Sequence, residues 1–227
     1  MPESGWRREA ASAVGAIARR HGWRLVLLFA GMLLPMWAFV ELADEVHEGE
    51  QIAFDLPMLR FAEAIASERL DAFFLLVSEV GYGWGVVPGD VLLVVVLLVR
   101  RRWREAAFAA IATGGSGLLN VVTKQLFARP RPDLWESISP HSTYSFPSGH
   151  AMGSMTLAIV LVLLAWPTRA RWWVVAAMAV FVPLVGLSRV YLGVHYPSDI
   201  LAGWAAAAIW VVGVYLVVYR NGRPGRR

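Results

Sequence analysis

The sequence predicts an all-α, polytopic membrane protein with six transmembrane helices and amphipathic helices on the membrane surface. Three observations carry that prediction. The chain is 57% hydrophobic and only 17% charged, against roughly 45–50% apolar and about 25% charged in an ordinary soluble domain. Its apolar residues gather into long runs, several close to the ~20 residues that a bilayer-spanning helix needs. Its basic excess, +4 net, sits at the ends of those runs, which is the positive-inside pattern of a membrane chain and not the footprint of a nucleic-acid partner. With no cysteine in 227 residues, disulfides, thiolate nucleophiles and cysteine-type zinc sites are excluded. Chemistry falls to His, Asp, Ser, Lys or Arg.

The first run, 24–41 (RLVLLFAGMLLPMWAFVE), follows Arg19 and Arg20 and is long enough to span. A cleaved signal peptide is the competing reading, but the leader before the run is about two dozen residues long and holds Glu3 and Glu9. Upstream, Trp6, Ala10, Ala13, Val14 and Ile17 recur at helical spacing beside Arg7 and Arg8, which suits a helix lying on the membrane; a disordered basic tail is the alternative. Residues 41–71 are acid-rich yet carry Met58, Leu59, Ala62, Ile65 and Ala66 at helical spacing, so an amphipathic interfacial helix is expected there. The stretch 72–99 is apolar, interrupted by Gly81, Gly83, Gly85, Pro88 and Gly89, and closed by Arg100, Arg101, Arg102 and Arg104. It reads as one span with a broken outer end, which Glu79 and Asp90 hydrate. Apolar segments over 106–127, 151–166, 172–187 and 200–219 bring the crossings to six. Gly114, Gly115, Ser116 and Gly117 form a close-packing face in the third of them. No internal repeat or second domain is visible, so residues 1–227 are one domain.

Orientation follows from the basic residues. Taking the N-terminus as cytoplasmic, 15 of the 21 fall on that side, leaving Arg60, Arg69, Lys124, Arg129, Arg131 and Arg189 for the other. Both termini are therefore expected in the cytoplasm. Trp23, Trp103, Trp166, Trp172 and Trp173 flank the same cytoplasmic ends, as interfacial aromatics do.

Four of the six outward bases lie in three short segments, KQLFARPRP at 124–132, YSFPSGH at 144–150 and SRVYLGVHYPSD at 188–199. All three sit at outer helix ends, where ionisable groups are expensive unless hydrated or paired, so their convergence points to a site. Lys124, Arg131 and Arg189 concentrate positive charge suited to a phosphate. Ser148 stands where a helix N-cap belongs, so the amides of Gly149 and His150 can face an anion along with the helix dipole. His195 and Asp199 are four apart around a helix start primed by Pro197, close enough for the carboxylate to hold one ring nitrogen and free the other for attack. His150 is then available as acid and base. His141, between the third and fourth spans, is read as a loop histidine.

These segments resemble the three-part signature of the type 2 phosphatidic acid phosphatase superfamily, in its bacterial membrane lipid phosphatase branch. Lys124, Arg131 and Pro132 match its Lys, six residues, Arg-Pro element, and Pro147 to His150 match Pro-Ser-Gly-His. Ser188, Arg189, His195 and Asp199 match the third element, and no signature position departs from the pattern. The resemblance implies that His195 is a nucleophile forming a phosphohistidine, oriented by Asp199. His150 would protonate the leaving oxygen and then activate water. Lys124, Arg131, Ser148, Gly149 and Arg189 would hold the phosphate and its transition state. No metal or cofactor is required by this set, and the three nearby cations argue against a metal held by His150, His195 and Asp199.

The implied function is hydrolysis of a lipid phosphate or diphosphate at the outer leaflet of the cell membrane. Undecaprenyl diphosphate, phosphatidylglycerophosphate and phosphatidate are the substrates that the resemblance suggests. A lipid A phosphatase or phosphotransferase is a related alternative. A non-enzymatic anion transporter is the distant one, and it would distribute charge along a pore where these interior runs carry almost none.

Overall fold

A computed structural model describes Gly22, residues 25–139 and residues 142–220, and these fold into eight helices with no strand. They are α1 (Leu25–Glu48), α2 (Asp55–Ala64), α3 (Glu68–Val80), α4 (Val86–Val99), α5 (Trp103–Phe127), α6 (Gly149–Ala165), α7 (Arg171–Tyr191) and α8 (Pro197–Val218). The expected surface helix over Trp6 to Ile17, and His141, lie outside the described residues.

Four helices, α1, α5, α7 and α8, are long and apolar enough to cross a membrane. The other two apolar helices are shorter, α4 with 14 residues and α6 with 17. At 1.5 Å per residue they reach about 21 and about 25 Å, against a hydrocarbon core of about 30 Å.

Two spans differ from expectation. Helix α1 continues past Glu41 to Glu48 and stops at Gly49, whose φ of 73° supplies the left-handed cap. Glu41, Asp44, Glu45 and Glu48 thus ride on its last turns. The stretch expected as one span over 72–99 is two helices, α3 and α4, parted at 81–85. The apolar run gave no period that distinguishes a break from a continuous helix; the glycines cause it. A Cβ on Gly85 would lie 2.2 Å from the Val80 carbonyl oxygen, and one on Gly81 would lie 2.7 Å from the Val185 side chain of α7. Helix α3 packs against α7, and α4 against α5 and α6. Asp90 consequently sits in the second turn of α4, inside the helix and not at a hydrated end.

The acid-rich segment does form the expected amphipathic helix. On α2, Leu59 and Ala62 are buried while Met58 and Phe61 are exposed, and α2 packs on α7 and α8.

Helix α6 is central, touching α4, α5, α7 and α8. Small residues set the spacing, as expected where lipid tails compete equally for apolar contacts. A Cβ on Gly203 of α8 would approach the Ser148 carbonyl oxygen at 2.8 Å, and one on Gly186 of α7 would meet Ile200 and Trp204 at 2.7 Å. On α5, Gly115 lies under Trp210, whose Nε1 donates to the Ala112 carbonyl oxygen at 3.0 Å. Ser116 shares a 2.7 Å hydrogen bond with Thr156. Gly114 and Gly117 have open space beside them, so the expected packing face reduces to Gly115 and Ser116. Phe108, Val160, Val211 and Tyr215 fill the bundle interior, and Phe29, Trp37, Leu92, Leu118 and Val217 point outward, as lipid-facing side chains do.

Candidate active site

The end of α5, the loop to α6, the start of α6, the end of α7 and the start of α8 meet at one end of the bundle. His195 occupies the turn between α7 and α8 and is buried. Gly193 makes that turn with φ of 68°, and a Cβ there would strike the Trp135 indole at 2.5 Å. The amides of Val194 and His195 then donate to the Arg189 carbonyl oxygen at 3.2 and 3.3 Å.

The two ring nitrogens of His195 have different partners. Nδ1 lies 3.3 Å from Asp199 Oδ2, and Nε2 lies 3.2 Å from Arg131 Nη1. A guanidinium only donates, so Nε2 must accept, and the ring proton belongs on Nδ1 facing the carboxylate. The nitrogen that the sequence assigned to attack is the one with the lone pair.

Asp199 is fully buried near the start of α8. Its Oδ2 also accepts from the Tyr196 amide at 2.9 Å and from the Ser145 hydroxyl, and its Oδ1 accepts from Arg129 Nη1 at 2.6 Å. Arg129 reaches back through Nη2 to Asp55 Oδ2 at 2.9 Å. Asp55 in turn accepts from the Ser198 amide at 2.9 Å and from its hydroxyl at 2.5 Å. A carboxylate, a guanidinium and a second carboxylate thus run from the start of α2 to Asp199 beside the His195 ring.

Sequence reasoning missed this chain. Arg129 counted only as one of six outward bases, and Asp55 was one acid among nine in 41–71, with nothing in the pattern to separate it from water-facing neighbours. Ser145 and Ser198 carried no signal beyond their place inside the motif segments.

The remaining positions gather around this core. Arg131 donates through Nε to the Thr143 carbonyl oxygen at 2.7 Å and through Nη1 to that of Val194 at 2.6 Å. Burial pulls its pKa below the ordinary arginine value, opposed by the Asp199 carboxylate. Lys124, at the end of α5, donates to the Tyr144 carbonyl oxygen, which Arg131 Nη2 also meets at 3.4 Å. Arg189 is buried in the last turns of α7 and donates through Nη1 to the Ser78 hydroxyl of α3. Ser148 is buried and caps α6, its side chain accepting from the Ala151 amide at 3.5 Å, and its own amide donates to the Asp199 carbonyl oxygen at 3.0 Å. The preceding Phe146–Pro147 bond is cis. A Cβ on Gly149 would lie 2.9 Å from Asn120 Oδ1. His150 follows in the first turn of α6 with its ring stacked on Tyr82, centroids 4.8 Å apart.

Three cations, a capped helix N-terminus and an imidazole whose Nε2 lone pair faces Arg131 while its Nδ1 faces a carboxylate are the parts needed to seat a phosphoryl group against a nucleophile.

Comparison with known proteins agrees. Residues 91–223 match the PAP2 superfamily, a stretch that contains Lys124, Arg131, Ser148, Gly149, His150, Arg189, His195 and Asp199 but not Asp55, Ser78 or Tyr82. Phosphatidylglycerophosphatase B of Bacillus subtilis is 28% identical over 172 residues, covering 74% of this chain and 84% of the relative. Undecaprenyl-diphosphatase of Sulfolobus acidocaldarius is 29% identical over 197 residues, covering 83% and 86%. The crystal structure of a transmembrane PAP2 type phosphatidylglycerolphosphate phosphatase from Bacillus subtilis superposes with a TM-score of 0.70 at 27% identity, covering 80% of this chain and 92% of that one.

Proposed function

The chain belongs to the PAP2 superfamily, and on that premise we propose a metal-independent lipid phosphatase that cleaves a phosphate ester or anhydride through a phosphohistidine on His195. The observation that carries this reading is the His195 ring held between Asp199 and Arg131. A substrate phosphate arriving at Arg131 takes the guanidinium's hydrogen bonds and releases Nε2. Nε2 then attacks phosphorus, and the bond to the leaving oxygen breaks as that oxygen takes a proton from His150. Water next gives a proton to His150 and attacks phosphorus, the P–N bond breaks, and inorganic phosphate leaves. Lys124, Arg131 and Arg189, with the amides of Gly149 and His150, offset the charge that builds on the equatorial oxygens, which is the work a metal ion does elsewhere.

A site at helix ends, at headgroup depth, receives lipid phosphates laterally while their tails stay in the bilayer. Phosphatidylglycerophosphate, undecaprenyl diphosphate and phosphatidate are the substrates to test, the first two named by the relatives. The six apolar helices, α4 and α6 the short ones, support six crossings of the cell membrane, and the basic-residue bias supports both termini in the cytoplasm and the site facing outward. Phosphate release from those three lipids by purified protein tests the reading. Release from at least one, persisting in excess EDTA and inhibited by vanadate, is expected. Release from none, or activity lost in EDTA and restored by magnesium or zinc, would overturn it.

A further inference from the structure

A cavity of about 110 Å³ opens between α4, α5 and α6 in the outer half of the bundle, with Asp90, Ser116, Asn120 and Thr156 in its wall and Tyr82 and Gly149 at its outer end. Most of these polar groups are satisfied. Ser116 and Thr156 bond each other at 2.7 Å, and Asn120 Nδ2 donates to the Pro147 carbonyl oxygen at 3.1 Å. Asp90 is the exception, since its Oδ1 is buried and accepts no hydrogen bond from any described residue. A carboxyl in so apolar a helix (VVPGDVLLVVVLLV) is expensive unless something donates to it. No Lys, Arg or His lines the cavity.

The cavity adjoins His150 on two sides, because Gly149 precedes that residue and Tyr82 stacks on its ring. In the reaction above, His150 protonates the leaving oxygen, so the alcohol half of the substrate lies on this side. We propose that the cavity is a leaving-group subsite in which Asp90 accepts a hydrogen bond from a hydroxyl on the lipid's headgroup. That selects substrates whose leaving group carries a hydroxyl, as a glycerol or a sugar does. It disfavours a second phosphate, for which the wall has an acceptor and no cation. The inference rests on the phosphatase reading and narrows it.

A site built to hydrogen-bond a hydroxyl rejects the analogue that lacks it, because the buried acceptor is then left unpaired. The test is kcat/KM for phosphate release by the full-length protein from phosphatidylglycerophosphate, phosphatidate and undecaprenyl diphosphate. It is run for wild type, Asp90→Asn and Asp90→Leu, with monodispersity in detergent checked for each. Wild type is expected to favour phosphatidylglycerophosphate by tenfold or more over both others. Asp90→Leu should shrink that preference at least tenfold, and Asp90→Asn, whose amide oxygen still accepts, should keep part of it. A wild type without the preference, or a Leu variant that loses activity on all three lipids by one common factor, would overturn the subsite while leaving the phosphatase reading standing. No release from any lipid would bring down both.

Discussion

In the free protein the Nε2 lone pair of His195 is engaged by Arg131 at 3.2 Å while Nδ1 faces Asp199 at 3.3 Å, so each neighbour has a separable effect. His195→Ala should abolish turnover without altering detergent extraction, and retention of a tenth of the wild-type rate would rule out its role. Asp199→Asn reverses the hydrogen-bonding demand on Nδ1 and favours the wrong tautomer; a loss on the order of 10⁴ in kcat is expected by analogy with a triad carboxylate. The proposed reaction starts from a neutral His195 and a protonated His150, so kcat/KM should be bell-shaped in pH, and a flat profile would contradict the pairing of roles. Arg129 joins Asp55 to Asp199 by hydrogen bonds of 2.9 and 2.6 Å. Removing one member of a buried charge network leaves its partners uncompensated, at about 3–5 kcal/mol. Arg129→Leu should therefore lower thermal stability on that scale, and Arg129→Lys should rescue it poorly because a point charge cannot bridge two carboxylates. A melting temperature unchanged in Arg129→Leu would show that the chain of charges carries no stability.

The elements themselves are tuned at their ends. Gly193 has φ of 68° and no room for a Cβ against Trp135, so Gly193→Ala should displace His195 and cut kcat at least tenfold. Adding Trp135→Ala removes the clash but not the left-handed strain of about 1–2 kcal/mol, so the double variant should recover part of the rate; full recovery would assign the whole effect to sterics. This end of the molecule was legible in the sequence because its residues are rare in apolar runs and carry specific chemistry: Lys124, Arg131, Ser148, His150, Arg189, His195 and Asp199 all lie on α5 to α8 or their connections. Helix existence was equally legible from the apolar runs. The α3–α4 break was less so, since Gly81 and Gly85 announce an interruption without telling whether the helix bends or reverses, and only packing against α7 decides it. Asp55 and Arg129 were illegible for the opposite reason. Their partner lies across the fold, and an acid among acids has no periodicity to mark it.

At the scale of the whole molecule, sidedness and mechanism remain to be joined. The absence of native cysteine allows single cysteines to be labelled without background. Ser142→Cys lies in the exposed loop between α5 and α6, and Thr168→Cys lies in the exposed connection between α6 and α7, at the opposite end of the bundle. A membrane-impermeant maleimide added to intact cells should label the first and spare the second until the membrane is opened; the reverse would put the site in the cytoplasm. The central claim is covalent catalysis by His195, and one measurement reaches it most directly. Purified protein turning over a lipid substrate labelled in its terminal phosphate is quenched in alkaline detergent, which preserves phosphohistidine, and its peptides are sequenced by mass spectrometry. The account predicts phosphate on His195 and none in His195→Ala. Label on Ser148, or rapid phosphate release with no labelled protein at any time point, would contradict it.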